Sequence, residues 1–330
     1  MTLPAPRPLR IVLPGGSGLL GQLLATHLQE RGHRVTVLTR SPYTAPWTTV
    51  HWDGETPGPW VETLECADAC INLAGRSVNC RYTPEHRREI YESRIQTTRV
   101  LGEVIGAMPF PPRAWLNAST ATIYRHALDR PMDEATGELG GNELIAPRRH
   151  APATWDFSST VAREWEAAFF AAHTPETRKV ALRTGIVCAP EPGSAFGILS
   201  RLVRMGLGGT QGNGRQFVSW IHALDFVRAV EFLLEREDLE GPVNVTAPEP
   251  LPNRQFMDGL RWAWEIPNGV PAPAPLIELA AALFGTESEL VLKSRRVVPA
   301  RLLQAGFAFE FPAWPEAAED LVRQWREQSR

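Results

Sequence analysis

Short, continuous apolar runs alternate along this chain with longer segments in which apolar residues recur with helical spacing. The first run, residues 9–13, leads into a glycine-rich turn. From Leu19 onward, the leucines at 20, 23, 24 and 28 fall on one helical stripe, which Gly32 ends. Residues 35–38 form the next apolar run. Because such runs are typical of strands buried on both faces of a parallel sheet, the pattern predicts a β-α-β unit.

The same alternation continues as far as residue 246. Thr83 and Pro84 are typical of a helix start, and Asp156 and Asp225 are candidate caps for two later helices. Strands that alternate with helices indicate an α/β fold with a doubly wound parallel sheet. The further predicted strands are residues 69–73, 115–118, 180–187 and 243–246, and the further predicted helices are residues 84–107, 157–172 and 225–236.

Three glycines at the first turn carry a functional signal. Gly15, Gly18 and Gly21 follow a predicted strand and open a predicted helix. The first allows a tight turn, the second lets the backbone approach a pyrophosphate, and the third allows the helix and strand to pack closely. The helix N-terminus then offers N–H donors and the positive end of a dipole to phosphate groups. This spacing in this context predicts a Rossmann-type dinucleotide site.

The end of the second predicted strand discriminates between cofactors. An Asp or Glu there would bind the ribose 2′-hydroxyl of NAD(H), but the sequence has Thr39, Arg40 and Ser41 instead. Arg40 can bind a 2′-phosphate through two hydrogen bonds, and Ser41 adds a hydroxyl group. We therefore expect NADP(H) as the cofactor. The alternative is that Arg40 is a solvated surface residue.

The character of the chain changes after residue 248, where prolines become frequent. The pattern there predicts a helix at residues 276–284, a strand at residues 289–292 and two more helices. Ligands are expected in a cleft between two parts of the chain, at the carboxyl ends of the strands. The two expected parts are an NADP-binding Rossmann domain (residues 1–190 plus 216–247) and a small C-terminal α+β substrate lobe (residues 191–215 plus 248–330).

Composition and charge exclude several classes of partner. The formal net charge is -3, so no electrostatic field selects nucleic acid or an anionic membrane. No apolar run is long enough to cross a bilayer, and residues 1–10 lack the apolar stretch of a secretory signal. Cys66, Cys70, Cys80 and Cys188 fit no zinc pattern and no disulfide framework, so we interpret them as reduced thiols. We expect a cytoplasmic protein without a bound metal ion.

Several motifs in the chain resemble one protein family. The glycine spacing, Asn72-Leu73-Ala74-Gly75 and Ala118-Ser119-Thr120 resemble the extended short-chain dehydrogenase/reductases. Residues 297–307 resemble a short C-terminal region of unknown function, which is found in an atypical subfamily of NAD(P)-dependent, sugar-nucleotide epimerase-like proteins. The other motifs that narrow the resemblance to this subfamily are residues 51–53, 93–98, 165–168, 212–216 and 219–222.

The resemblance implies further cofactor contacts. Ala74 and Gly75 would lie under the adenosine, where a larger side chain would block the cofactor, and Ile186 would lie near the nicotinamide. Glu89 and Arg94 would face the cofactor from the long helix, although an ion-pair pattern on the helix surface also accounts for them. The predicted cofactor-binding residues are Gly15, Ser17, Gly18, Leu19, Leu20, Gly21, Arg40, Ser41, Ala74, Gly75, Glu89, Arg94 and Ile186.

The resemblance also implies a Tyr-x-x-x-Lys pair for proton transfer, and this chain lacks it. No tyrosine in the sequence is followed by a lysine four residues later. Counting back from Trp165, the two expected positions fall on Ser158 and Ala162. Neither a serine hydroxyl nor an alanine side chain has useful acidity at neutral pH, so the proton donor is not identified by the resemblance.

The candidate catalytic residues are Ser119, Thr120 and Tyr124. The first two stand where the family has its substrate-orienting hydroxyl, and Tyr124 follows closely enough to reach the same cleft. They would serve an epimerase-like oxidoreductase, a monomer or homodimer, that acts on an unidentified small alcohol, carbonyl compound or sugar nucleotide. The missing Tyr-x-x-x-Lys pair favours the alternative of a non-catalytic NADP(H)-binding sensor or scaffold. A structural protein with a vestigial site is a third reading, which the intact glycines and Arg40 disfavour.

Overall fold

The computed structural model of the chain describes residues 7–141, 144–146 and 149–328, and its elements are numbered here along the chain. The strands are β1 (Arg10–Pro14), β2 (Arg34–Thr39), β3 (Thr48–His51), β4 (Ala69–Asn72), β5 (Ala114–Thr120), β6 (Leu144–Ala146), β7 (Arg149–His150), β8 (Arg178–Thr184), β9 (Ile186–Cys188), β10 (Phe217–Val218), β11 (Trp220–His222), β12 (Gly241–Val245) and β13 (Leu251–Pro252). The helices are α1 (Leu19–Glu30), α2 (Pro84–Ala107), α3 (Ala153–Ala171), α4 (Ala195–Arg204), α5 (Ala223–Glu235), α6 (Asn253–Ala263), α7 (Ala274–Phe284), α8 (Glu289–Leu292), α9 (Ala300–Gln304) and α10 (Trp314–Gln328).

One parallel sheet dominates the described residues, with seven strands in the order β12-β8-β5-β4-β1-β2-β3. Every neighbouring pair in it is parallel. The chain builds β2 and β3 on one side of β1 and then crosses over to build the other four strands on the opposite side. The carboxyl ends of β1 and β4 therefore flank a switch point, where ligands bind in such sheets. The predicted doubly wound α/β fold is confirmed.

Two corrections apply to the strands of this sheet. Strand β3 forms its edge beside β2, although the segment TTVH has no continuous apolar run to indicate a strand. The predicted strand at residues 180–187 is divided at Gly185, because β9 leaves the sheet and pairs with β11. A Cβ atom on Gly185 would lie 2.8 Å from the Ser219 carbonyl oxygen, so only glycine lets the two segments approach this closely.

A third correction concerns residues 289–292, which were predicted to be a strand. They form the one-turn helix α8, in which the Lys293 amide donates to the Glu289 carbonyl at 3.2 Å. A short apolar run fits a buried helical turn as well as it fits a strand, and periodicity alone does not separate the two. The predicted helix at residues 276–284 is present as α7.

Two predicted helix caps are also wrong. Helix α3 begins at Ala153, so Asp156 lies inside its first turn, and Pro152 occupies the N-cap position. At α5 the cap is His222, whose Nδ1 accepts from the Leu224 amide at 3.1 Å. Asp225 is fully buried and instead accepts the backbone amides of residues 310 and 311, both at 2.8 Å. That carboxylate therefore ties the C-terminal segment to α5.

Three apolar clusters hold these elements together. One lies between the sheet and helices α1 and α5, and a second lies on the opposite face beneath α2 and α3. The third joins α4, α6 and α10, where Trp314 stacks on Phe256 at 4.0 Å and meets Trp220 edge-on. Nonpolar burial on both faces of the sheet explains why its strands read as continuous apolar runs. Among the residues described, no helix is long and apolar enough to cross a membrane.

Candidate functional site

The three glycines of the first turn have different steric surroundings. Gly15 has a φ of +72°, and a Cβ atom there would lie 2.5 Å from Cα of Ala74. A Cβ atom on Gly21 would lie 2.4 Å from Cα of Gly16, so α1 packs directly on the turn. At Gly18 the nearest atom to a Cβ would be the Gly15 carbonyl oxygen, 4.0 Å away. The protein itself therefore leaves room at Gly18, which is the position where a ligand would approach the backbone.

The N-terminus of α1 opens onto this turn. Gly18 is the N-cap residue and has no side chain to satisfy the first amides of the helix. The backbone N–H groups of Leu19, Leu20 and Gly21 belong to the first turn, which has no carbonyl partners within the helix. Together with the helix dipole they form a site suited to an anionic group such as a phosphate.

A cavity of about 480 Å³ lies above the turn, and we refer to it as the glycine-turn cleft. Its floor is formed by the turn, and its walls are formed by the ends of β2, β3 and β4 and by one face of α2. The predicted residues that line it are Gly15, Ser17, Gly18, Arg40, Ala74, Gly75 and Glu89. The structure therefore brings these positions together at the carboxyl ends of the strands.

Arg40 stands at the end of β2 with its side chain exposed. Within the described part of the chain it has no ion-pair partner, and the strand ends without an acidic residue. The Thr39 hydroxyl beside it donates to Ser17 Oγ at 3.2 Å, and the Ser41 amide donates to Thr39 Oγ1 at 3.4 Å. The cleft therefore has an exposed guanidinium group where β2 ends.

Sequence reasoning missed the wall that β3 contributes. Trp52 is buried, and its indole Nε1–H has no hydrogen-bond partner among the described residues. Asp53 beside it accepts hydrogen bonds from the Thr56 hydroxyl and from the amides of Thr56 and Glu55, which lower the pKa of Asp53 to about 2. This wall exists because β3 lies beside β2 in the sheet. In the sequence, only the motif at residues 51–53 indicated it.

Arg94 and Glu89 occupy different places relative to the cleft. Glu89 lines it and pairs with Arg76. Arg94 lies beneath the loop after β4, where it donates to the Arg76 carbonyl at 3.0 Å and to the Ile90 carbonyl at 2.9 Å. Burial lowers the pKa of Arg94 to about 10, and its guanidinium lies 5.2 Å from the ring of Trp165. Arg94 therefore supports the backbone of the cleft wall from behind.

The candidate hydroxyl groups at the end of β5 are held in different ways. Ser119 is buried and donates to Glu166 at 2.6 Å. Thr120 is half-buried, and its hydroxyl accepts the Thr122 amide at 3.1 Å. Tyr124 is only 1% exposed. Its hydroxyl donates to Asn244 at 2.9 Å, which directs it into the protein interior and away from the cleft.

Ser119 and Tyr124 are linked by one buried ion pair. Arg183 donates to both carboxylate oxygens of Glu166, at 2.9 and 2.7 Å, and to the Tyr124 hydroxyl at 2.8 Å. Burial alone would lower the pKa of Arg183, but the hydrogen bond and the charge of Glu166 raise it. Arg183 therefore keeps its charge inside the fold, and its donors are matched by the oxygens of Glu166 and Tyr124.

The remaining positions that the resemblance singles out lie on β9 and α3. Ile186 lies half-buried at the start of β9. Ser158 and Ala162 lie one turn apart on α3, and the Ser158 hydroxyl donates to Glu289 at 2.6 Å. No group of three His, Cys, Asp or Glu side chains among the residues described is arranged to hold a metal ion.

Two family models match the chain. One is described as the NAD dependent epimerase/dehydratase family and matches residues 11–246. The other is a domain of unknown function, DUF1731, and matches residues 272–321, which include the C-terminal region recognised at residues 297–307. The resemblance inferred from the motifs is confirmed on both counts.

Curated relatives cover nearly the whole chain. The "Epimerase family protein SDR39U1" of Bos taurus is 32% identical over 321 residues, which cover 95% of this chain and 100% of that protein. An "Epimerase family protein" of Staphylococcus epidermidis is 31% identical over 317 residues, which cover 95% of this chain and 99% of the relative.

Solved structures share the fold. The crystal structure of human epimerase family protein SDR39U1 (isoform 2) with NADPH superposes with a TM-score of 0.82 at 29% identity, over 96% of this chain and 99% of that chain. A nucleoside-diphosphate sugar epimerase from Corynebacterium glutamicum superposes with a TM-score of 0.74 at 26% identity, over 98% of this chain and 62% of the other.

Proposed function

Because this chain belongs to the NAD dependent epimerase/dehydratase family, we propose that it binds NADP(H) in the glycine-turn cleft and acts as an epimerase-like oxidoreductase. Its substrate would be a small alcohol, a carbonyl compound or a sugar nucleotide, bound between a cofactor domain (residues 1–190 plus 216–247) and a C-terminal lobe (residues 191–215 plus 248–330). The four cysteines are free thiols, which supports action in a reducing compartment such as the cytoplasm.

The observation that carries the cofactor proposal is the exposed guanidinium of Arg40 at the end of β2. An acidic residue at this position would repel a 2′-phosphate, whereas a free Arg can bind it through charge-assisted hydrogen bonds. The human relative that was crystallised with NADPH supports the same choice.

The rest of the cofactor can be assigned to the cleft by chemistry. The pyrophosphate would bind the amides at Gly18 and the N-terminus of α1. The adenine would lie toward Trp52, Ala74 and Gly75, where the indole Nε1–H is free to donate. The nicotinamide would then point toward Ile186 and the end of β5. A bound nicotinamide supplies hydride chemistry, and Thr120 would orient the oxygen of the substrate.

Calorimetric titration with NADPH, NADP⁺ and NADH tests this proposal on the wild type and on Arg40→Ala. We expect tight binding of NADPH, weak binding of NADH, and a loss of about 1.5–3 kcal/mol for NADPH in the variant, as for a charge-assisted contact. Arg34→Ala is the matched control, because Arg34 is an exposed arginine at the opposite end of the same strand. Absence of binding by any dinucleotide would contradict the proposal.

A second candidate function is a non-catalytic NADP(H)-binding sensor or scaffold. The placement of two predicted catalytic hydroxyls favours it, because Ser119 and Tyr124 are buried and hydrogen-bonded within the protein. This alternative predicts cofactor binding and a conformational response without turnover. It is tested by NADPH consumption across a panel of carbonyl compounds, alongside hydrogen exchange with NADPH and NADP⁺. Steady consumption excludes it, and equal affinity with unchanged exchange removes its basis as a sensor.

A further inference from the structure

The segment 287–298 passes over the carboxyl ends of the strands. It contacts helix α3 and the turn after β5, which lie on either side of the position proposed for the substrate. Glu289 accepts the Ser158 hydroxyl of α3 at 2.6 Å. Lys293 donates to Ser159 Oγ at 2.7 Å and to the Thr122 carbonyl, in the turn after β5, at 3.2 Å. The segment thus places a carboxyl group and a cation beside the face of α3 on which the resemblance led us to expect a proton-transfer pair.

The surroundings of Glu289 favour the protonated form of its carboxyl group. Glu289 is fully buried, whereas Ser158 is half-buried and forms the accessible end of the pair. Burial raises the pKa of Glu289, and the nearby Glu287 adds to the effect. Arg295, at 3.5 Å from the carboxylate, Lys293 and the hydrogen bond from Ser158 act in the opposite direction and lower this pKa. Burial therefore favours the neutral carboxyl, and the neighbouring cations stabilise the anion once a proton has left.

Other titratable groups nearby are less suited to this role. The hydroxyl of Tyr124 is held by Asn244 and Arg183 in the interior. His126 has a pKa lowered to about 4, mainly by burial, so it carries no proton to donate as a cation at neutral pH. Tyr82 has a pKa raised to about 12, again mainly by burial, and its hydroxyl lies 3.5 Å from Ser158 Oγ.

We propose that Ser158 and Glu289 form the proton relay of this protein, in which Ser158 contacts the substrate oxygen and Glu289 stores the proton. The inference rests on the proposed oxidoreductase function and names the groups that would move its proton. It places one half of the relay on α3 and the other half on the segment 287–298, so the C-terminal region of unknown function becomes part of the substrate site.

The proton and electron balance of the relay is simple. In the reductive direction the substrate carbonyl carbon gains a hydride, and its oxygen gains the hydroxyl proton of Ser158. The Ser158 oxygen regains a proton from the carboxylic acid of Glu289, and after the product alcohol leaves, the resulting carboxylate takes up a solvent proton through the accessible Ser158 hydroxyl. In the oxidative direction the alcohol proton passes to Ser158 and the Ser158 proton passes to the Glu289 carboxylate, while the alcohol carbon loses a hydride. Arg295 and Lys293 stabilise the carboxylate in both directions.

The first test measures the carboxyl group itself and needs no substrate. NMR titration of isotope-labelled glutamate carboxyls in the full chain should show raised titrations for the buried carboxyls of Glu134 and Glu289, and the signal of Glu289 is the one that tests the relay. This signal should be absent from Glu289→Gln and present in Glu287→Gln. The second variant is the matched control, because Glu287 is a buried carboxylate on the same segment that binds the Tyr82 amide and not Ser158. Absence of a raised carboxyl at Glu289 would overturn the relay.

The second test measures NADPH oxidation with a panel of carbonyl compounds. Glu289→Gln and Ser158→Ala should slow turnover by about 100-fold or more, with NADPH affinity unchanged, as expected for the loss of acid–base catalysis. Ser158→Thr should restore most of the rate, and Glu164→Gln, at an exposed position of the helix that carries Ser158, should stay within a few-fold of wild type. An active wild type together with an equally active Glu289→Gln contradicts the relay alone. A wild type that oxidises no NADPH with any compound contradicts the proposed function, and the relay with it.

Discussion

Ser119 donates a 2.6 Å hydrogen bond to Glu166, which joins the end of β5 to the middle of α3 across 47 residues of sequence. The same carboxylate is held by two hydrogen bonds from Arg183 on the neighbouring strand β8. A hydroxyl that was expected to face a substrate is therefore part of a buried ionic network. This relationship fixes α3 over the sheet and leaves Thr120 as the more accessible hydroxyl on this strand.

Glu166 is expected to be a strong determinant of stability. Its replacement by alanine leaves the Arg183 guanidinium buried without its partner, which costs about 3–5 kcal/mol. Urea unfolding of Glu166→Ala should show this loss, whereas Glu164→Ala, on the exposed side of the same helix, should change stability by less than about 1 kcal/mol. The double variant Glu166→Leu with Arg183→Met should recover much of the loss. Equal stability of Glu166→Ala and wild type would show that the network does not hold α3.

Alanine substitutions at Gly18 and Gly21 are expected to affect different properties, namely cofactor affinity at Gly18 and fold stability at Gly21. Gly21→Ala forces a Cβ atom against the backbone of Gly16 and should destabilise the fold by at least about 1–3 kcal/mol in thermal or urea unfolding. Gly18→Ala meets no protein atom closer than 4.0 Å, so the fold should be retained. Its methyl group would instead occupy space needed by the pyrophosphate, and NADPH affinity should fall about tenfold or more. A Gly18→Ala protein that binds NADPH normally would place the pyrophosphate elsewhere.

Arg94 is expected to affect cofactor binding indirectly. Arg94→Ala removes the two hydrogen bonds that hold the Arg76 and Ile90 carbonyls, so the cleft wall after β4 should loosen. We expect NADPH affinity to fall about tenfold and hydrogen exchange in residues 74–78 to increase. Arg88→Ala, at an exposed position of the same helix, is the control and should leave both measurements unchanged. Increased exchange without a change in NADPH affinity would show that this loop does not contribute to cofactor binding.

His126 is expected to make the protein less stable in acid. Its pKa in the folded state is lowered to about 4, with burial as the main cause and Lys293, Arg125 and Arg295 as further causes, from an ordinary value of 6.5. Between these two pH values the unfolded chain binds a proton that the folded chain does not, so acid favours unfolding. The free energy of unfolding should therefore fall as the pH decreases from 6.5 to about 4, with a slope of up to about 1.4 kcal/mol per pH unit from this residue.

Urea unfolding as a function of pH measures this effect. His126→Gln should lack the contribution to the slope, whereas His51→Gln, an exposed histidine, should retain it. An unchanged slope in His126→Gln would assign the acid sensitivity to another group.

The sequence alone determined the features that depend on local physics. The β-α-β unit, the glycine turn and the start of α2 follow from apolar periodicity, from the steric needs of a tight turn, and from capping by Thr83, whose side chain accepts the His86 amide as expected. The expectation of NADP(H) rests on the type of residue at the end of β2. Each of these signals lies within a few positions along the chain, where backbone geometry and side-chain type act directly.

Only the tertiary structure decided which side chains meet across long sequence distances. Strand β3 has no apolar run of its own and exists because β2 offers it hydrogen-bonding partners. Asp225 does not cap α5, because its carboxylate accepts the backbone amides of residues 310 and 311 instead. Ser158 and Glu289 are 131 residues apart, and their contact depends on how the last part of the chain folds over the sheet. Burial and pairing of polar groups are properties of the packed molecule, so they cannot be predicted from periodicity and spacing in the sequence.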